Sequence, residues 1–258
     1  MTTATKTSTS WHSERVGCEL NVVRWGHFGQ PVLLFPTAGG DAEEMERMHM
    51  IRALSDLLEA GRIKIYSVDS VAARDWSDTD VSGESKCELL DGFQNAIRQE
   101  VVPAIRADCE DEEAEIIAAG ASIGAFNALS AVCRWPDAFQ AGICASGSYD
   151  VDRFMKNAPT HDQHLYFCMP SRYLPNLKDG PLLEQLRTRK VIFAHGGGRW
   201  EDPEQDWGMA STLGKLGIPN RVDPWGDDYD HDWPTWRAMF PKYLDELTKP
   251  ADDAADEG

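Results

Sequence analysis

Short continuous apolar runs alternate along this chain with longer amphipathic stretches, a pattern that predicts an α/β fold with a mostly parallel central sheet covered by helices on both faces. The runs at 32–35, 63–68 ("IKIYSV"), 141–146 ("AGICAS") and 190–195 ("KVIFAH") read as buried strands, as does "EIIAAGA" leading into Ser122. Each is too short for a buried helix and bounded by loop residues. A further strand is predicted near 221–225.

Between the strands the period changes to that of helices. Asp41, with Glu44 three residues on, has the form of a capping box. The helix it opens carries Ile51, Leu54 and Leu58 on one face and stops at Gly61. Another runs through Leu89, Phe93, Ile97 and Val101, and "IGAFNALSAVC" leaves the turn at Ser122 as a third. Two more are predicted near 204–216, stopped by Gly217, and over 234–247. The segment 149–189 holds prolines and aromatics without clear periodicity, which suggests a cap-like insert or pocket wall. Residues 1–14 and the acidic tail 248–258 are expected to be flexible, leaving 15–247 as one folded domain.

A chain of 258 residues, 42% of them hydrophobic, can bury a large core without disulfide or metal staples. Its formal charge of -18 repels phosphate backbones and anionic lipid, so neither nucleic acid nor a membrane surface is an expected partner. The six cysteines, Cys18, Cys87, Cys109, Cys133, Cys144 and Cys168, show no C-x-x-C pair and suit reduced thiols. The leading residues lack the apolar centre of a signal peptide, and no segment reaches the roughly 18 apolar residues of a membrane span. A cytoplasmic protein is expected.

The stretch richest in chemistry is Gly120-Ala121-Ser122-Ile123-Gly124, a G-x-S-x-G motif between an apolar strand and an apolar helix. Flanking glycines let strand and helix approach closely around a strained turn, which lifts the serine hydroxyl clear, and the helix amides point toward developing negative charge. Ser122 is the candidate nucleophile. Its base should come late in the chain, and His231 in "DDYDHDWPTW" lies between the last strand and the last helix. His195 ends a strand and reads as structural or pocket-lining, while His161 and His164 lack the further ligands a metal site needs. No metal or cofactor is expected.

The third member must be a carboxylate that orients the imidazole and stabilises its charged form. Glu201 and Asp202, in "GGGRWEDPE", follow a strand, and Asp150 follows the preceding one. Asp202 precedes Pro203 and suits a helix cap, which leaves Glu201 as the better acid, with Asp202 the alternative and Asp150 a third option. The order serine, acid, histidine is that of the hydrolase arrangement. For an oxyanion hole, the Ile123 amide is one donor, and the small-residue loop "PTAGG" offers the second at Thr37 or Ala38.

With "GASIGA" at the serine, "LLFPTAGG" at the oxyanion loop, "YLPNL" in the insert and "HDWPTW" late in the chain, the sequence resembles the esterase branch of the α/β-hydrolases. That group includes esterase D, enterochelin esterase and the mycobacterial antigen 85 proteins. Ala125 stands where many relatives have a second glycine. The resemblance covers about residues 15–247 and implies a single α/β-hydrolase domain working without metal or cofactor, with Ser122 as nucleophile and His231 as base. A serine esterase acting on small-molecule carboxylic esters, carboxylesterase-like, is the expected function. Acyl transfer by the same triad and a non-catalytic binding role are the rivals, and homo-oligomers are compatible with the family. Trp76, Trp200 and Trp233 are candidate rim residues for the acyl pocket.

Overall fold

The computed structural model describes residues 5–159 and 163–249. The strands are β1 (Lys6–Ser13), β2 (Cys18–Trp25), β3 (Gln30–Phe35), β4 (Ile63–Val68), β5 (Ile116–Ala121), β6 (Phe139–Ala145), β7 (Lys190–His195) and β8 (Asn220–Pro224). They form one sheet in the order β1-β2-β4-β3-β5-β6-β7-β8, antiparallel at β1–β2 and β2–β4 and parallel elsewhere. In chain order the helices are α1 (Glu44–Arg47), α2 (Met50–Ala53), α3 (Ser55–Glu59), α4 (Gly83–Ala96), α5 (Val102–Asp108) and α6 (Ile123–Arg134). They continue with α7 (Gln163–Cys168), α8 (Pro170–Tyr173), α9 (Pro181–Leu186), α10 (Pro203–Lys215) and α11 (Trp233–Thr248).

Successive residues of a strand face opposite sides, so the continuous apolar runs serve two cores at once. Leu33, Phe35, Ile116, Ala118, Cys144 and Phe193 pack with α4, α6 and α10 on one side. Their neighbours Val32, Leu34, Ile117, Ala119, Ile143 and Ile192 pack with α2, α3 and α11 on the other. This is the predicted sheet with helices on both faces, in one domain.

Three local expectations are corrected. Residues 6–13, expected within a flexible leader, are β1, whose backbone pairs with β2 from Lys6↔Trp25 to Ser13↔Cys18. The predicted helix over 41–61 is broken into α1, α2 and α3, with His49 in the left-handed conformation at φ 62° between the first two. The capping box is not formed: Asp41 Oδ1 accepts from the Glu43 amide, whereas the Glu44 carboxylate turns to Thr37. The acidic tail lies outside the described residues from 250 onward.

The described parts of segment 149–189, residues 149–159 and 163–189, carry short helices against the α4–α6 layer, and Val151, Leu165, Met169, Leu174 and Leu186 join the core there. Buried Lys86 of α4 stitches this segment to the loop after β4. Its ammonium donates to the Trp76, Asp78 and Lys156 carbonyls. Lys86→Met preserves the apolar stem but removes the shared donor, leaving these oxygens to find other partners. Urea titration should show a loss of about 2 kcal/mol in unfolding free energy.

Candidate active site

The turn between β5 and α6 is set by backbone crowding. A Cβ on Gly120 would stand 2.2 Å from the Gly124 carbonyl oxygen, and one on Gly124 would stand 2.5 Å from the Phe35 carbonyl oxygen. Only glycines let α6 land so closely on β5 and β3. Ser122, between them, sits at φ 56°, ψ -120°, a region that costs a non-glycine residue about 1–3 kcal/mol. Its amide donates to the Ala145 carbonyl at 3.0 Å, and its carbonyl accepts from the Ala125 and Ser148 amides at 3.1 and 3.3 Å. The hydroxyl does not cap α6.

Parallel β5, β6 and β7 are neighbours, so the loops at their carboxyl ends share one rim of the sheet. Glu201, on the loop after β7, has its side chain buried at 1% exposure, and His231, on the loop after β8, keeps 20%. Glu201 Oε2 and His231 Nδ1 face each other at 3.6 Å, an ion-pair separation longer than a hydrogen bond. Both atoms are buried, and neither has a hydrogen-bond partner among the described residues. The other carboxylate oxygen, Oε1, accepts from Ser146 Oγ at 2.7 Å and the Gly196 amide at 3.2 Å.

The two loops that bear the pair are zipped together. Gly197 N–H donates to Gly226, Gly198 to Tyr229, and His231 to Arg199. Arg199 returns the contact by ion-pairing with Asp230 at 2.8 Å. A Cβ on Gly196 would stand 1.8 Å from the Tyr229 carbonyl oxygen, so the run of glycines in "HGGGRWE" exists to permit this contact.

The other carboxylates fall elsewhere. Asp202 precedes α10 without a side-chain cap bond and ion-pairs with Arg153 at 3.5 Å, both side chains 42% exposed. Asp150 is exposed, and its amide donates to Gln205 Oε1. His195 is buried at the end of β7 with Nδ1 2.8 Å from the Gly196 carbonyl oxygen. His164 stands 3.2 Å from Asp91, and His161 lies outside the described residues.

At the oxyanion loop the structure separates the two candidates. The Thr37 amide and hydroxyl are both engaged by the Glu44 carboxylate, at 2.8 and 2.7 Å, so Thr37 is not the open donor. Gly40 makes room for that carboxylate, since a Cβ there would lie 2.7 Å from it. Ala38 follows Thr37 in the same loop, and the Ile123 amide opens α6, where the first amides have no acceptor within the helix. Of the three candidate rim tryptophans, Trp76 and Trp233 are buried and Trp200 is 85% exposed.

Sequence reasoning missed Ser146, Trp236 and Asp206. Ser146 ends β6 at φ 48°, and Trp236 of α11 donates from Nε1 to its hydroxyl at 3.0 Å. Asp206 of α10 is fully buried, accepting from the Tyr149 hydroxyl at 2.9 Å. Burial pushes its carboxyl well above the ordinary range against the hydrogen bonds from Tyr149 and Gly147, with negative charge on Glu201 adding to the rise. A strand end followed by small residues is the one sequence signal for Ser146; the others depend on packing of distant elements.

The family model described as Putative esterase matches residues 45–247 of this chain. The chain belongs to this family. By that membership it is a hydrolase acting on ester bonds. No curated protein matches it. Among solved structures the esterase is similar to a ferulic acid esterase, 14% identical with a TM-score of 0.71 over 95% of this chain and 98% of that one. It is similar to S-formylglutathione hydrolase FrmB from Staphylococcus aureus, 12% identical with a TM-score of 0.68 over 96% and 99%. MPT51 of Mycobacterium tuberculosis gives 14% and 0.71 over 95% and 98%. At these identities the likeness is one of fold, that of the α/β-hydrolases.

A carboxyl that holds its proton more tightly when folded stabilises the protein at low pH, and that contribution fades as pH rises above its ordinary value of 3.8. Asp206→Asn keeps the shape and the acceptor for Tyr149 but cannot ionise. Its unfolding free energy relative to the parent should therefore increase between about pH 5 and about pH 8 in urea titrations. A difference that stays flat or falls with pH would show that Asp206 is ionised in the fold.

Proposed function

We propose that this protein is a serine esterase that cleaves carboxylic esters through an acyl-enzyme on Ser122, with His231 as base and Glu201 as the acid. The observation that carries the reading is the Glu201–His231 pair, two buried and otherwise unpartnered atoms facing each other at 3.6 Å on loops at the same rim of the sheet as the strained Ser122 turn. Catalytic pairs are often loose before substrate tightens them.

In the first half-reaction His231 takes the Ser122 hydroxyl proton as Oγ bonds to the ester carbon. The tetrahedral oxyanion is held by the Ile123 and Ala38 amides. When the carbon–oxygen bond to the alcohol breaks, His231 returns the proton to the leaving oxygen. Water then repeats the sequence, and the carboxylic acid departs while Ser122 regains its proton. Throughout, Glu201 holds the imidazole in one tautomer and balances its transient charge.

The substrate in this reading is a small-molecule ester with a small to medium acyl group. The ferulic acid esterase and S-formylglutathione hydrolase among its fold relatives make aromatic esters and thioesters part of the test panel. A cytoplasmic setting accords with six free cysteines. No helix among the described residues is long and apolar enough to cross a membrane.

Incubation with a fluorophosphonate, followed by intact mass, should give one adduct per chain that Ser122→Ala abolishes and His231→Ala slows strongly. A folded parent that stays unlabelled would overturn the reading. The same proteins distinguish the two acids. Glu201→Gln should lower kcat on a p-nitrophenyl ester by about 10³- to 10⁴-fold, the scale of a mis-set triad histidine. Asp202→Asn, altering an exposed ion pair, should stay within about twofold.

A further inference from the structure

Two serines end neighbouring strands in left-handed backbone: Ser122 after β5 at φ 56° and Ser146 after β6 at φ 48°. The first has an explanation in the proposed chemistry. The second is buried at 3% exposure, and glycine would hold that conformation without the cost of a Cβ. A hydroxyl that is kept there at the expense of strain needs a use.

Its contacts supply one. Ser146 Oγ donates to Glu201 Oε1 at 2.7 Å and accepts from Trp236 Nε1 at 3.0 Å, so the donor direction of the hydroxyl is fixed. Indole N–H can only donate, which forces the serine proton toward the carboxylate. With the Gly196 amide on the same oxygen, Oε1 is held from two sides, and Oε2 is left turned toward His231. The Trp236 ring also meets the His231 ring edge-on, with centroids 5.2 Å apart, so one side chain braces both members of the pair.

We propose that Ser146 and Trp236 are positioning residues that aim the Glu201 carboxylate at His231 through a Trp236–Ser146–Glu201 hydrogen-bond chain. The inference rests on the esterase reading for its catalytic consequence, but the aiming itself is a property of the folded protein. A buried carboxylate with one oxygen anchored has few ways to turn, which keeps the imidazole in register for every turnover.

Ser146→Gly is the informative substitution, because glycine accepts φ 48° without strain while deleting the hydroxyl. The variant should unfold within a few degrees of the parent, because relief of the strained backbone offsets the two lost hydrogen bonds, yet lose kcat by on the order of 10²-fold with KM within about twofold. Trp236→Phe keeps a ring against His231 and removes only the N–H, and should lose kcat in the same direction by less. Combining the two should cost no more than Ser146→Gly alone, since Trp236 acts through the serine.

Proton NMR gives a readout that turnover does not enter. The parent should show a downfield His231 Nδ1–H line, absent from His231→Ala and broadened into water exchange in Ser146→Gly. A Ser146→Gly protein that is folded, keeps kcat within about twofold and retains that line would overturn the proposal. If the parent neither labels with fluorophosphonate nor hydrolyses esters, the esterase reading fails, and the NMR line alone decides whether Ser146 aims the carboxylate.

Discussion

The close landing of α6 on β5 is the constraint on which the rest depends. With hydrogens at Gly120 and Gly124 in place of methyl groups, the helix can start directly over the Phe35 and Pro36 carbonyls. That approach fixes three things together: the strained Ser122, the direction of the Ile123 amide, and the distance from the serine turn to the loop after β3. A larger residue at either glycine pushes the helix away from all of them. Stability and chemistry are therefore not separable at this corner, because the same van der Waals contact serves both.

Two buried carboxyl groups near this corner meet the cost of desolvation in different ways. Glu201 is given two donors on one oxygen and an imidazole opposite the other. Asp206 is given a phenol and an amide, and burial pushes its carboxyl toward the protonated form. The push on Asp206 toward its protonated form lessens the repulsion that a second buried anion would set up beside Glu201. Asp206 also ties α10 to the loop after β6, where neighbouring Gln205 accepts from the Tyr149 and Asp150 amides. The loops after β6 and β7 are thus spaced by one helix.

Much of this was legible in the chain because the parallel strands are buried on both faces and read as continuous apolar runs. The segments at 63–68 and 190–195 are strands with the boundaries the sequence suggested. The placing of Ser122 in the turn after β5, and of Glu201 and His231 on the loops after β7 and β8, followed from the same strand ends. β1 did not, because "KTSTSWHS" is an exposed edge strand whose order comes from pairing with β2 and from no apolar face of its own. The broken helix after Asp41 was missed because Glu44 finds a better partner in Thr37 than in its own helix terminus. The same contact engages the Thr37 amide and hydroxyl, which no local pattern foretells. Ser146 and Trp236, 90 residues apart, become neighbours only when α11 folds back over the rim.

The zipped loops after β7 and β8 have a mechanical consequence. Glu201 and His231 ride on backbone segments bonded to each other through Gly197, Gly198, Arg199 and Asp230, whereas Ser122 belongs to the β5–α6 block. The Glu201–His231 separation is thus held by backbone contacts between these two loops, in which the Ser122 turn takes no part. In the proposed esterase the facing of acid and base is therefore set by one pair of bonded loops and the exposure of the serine by a different corner of the sheet, so that damage to one need not be inherited by the other.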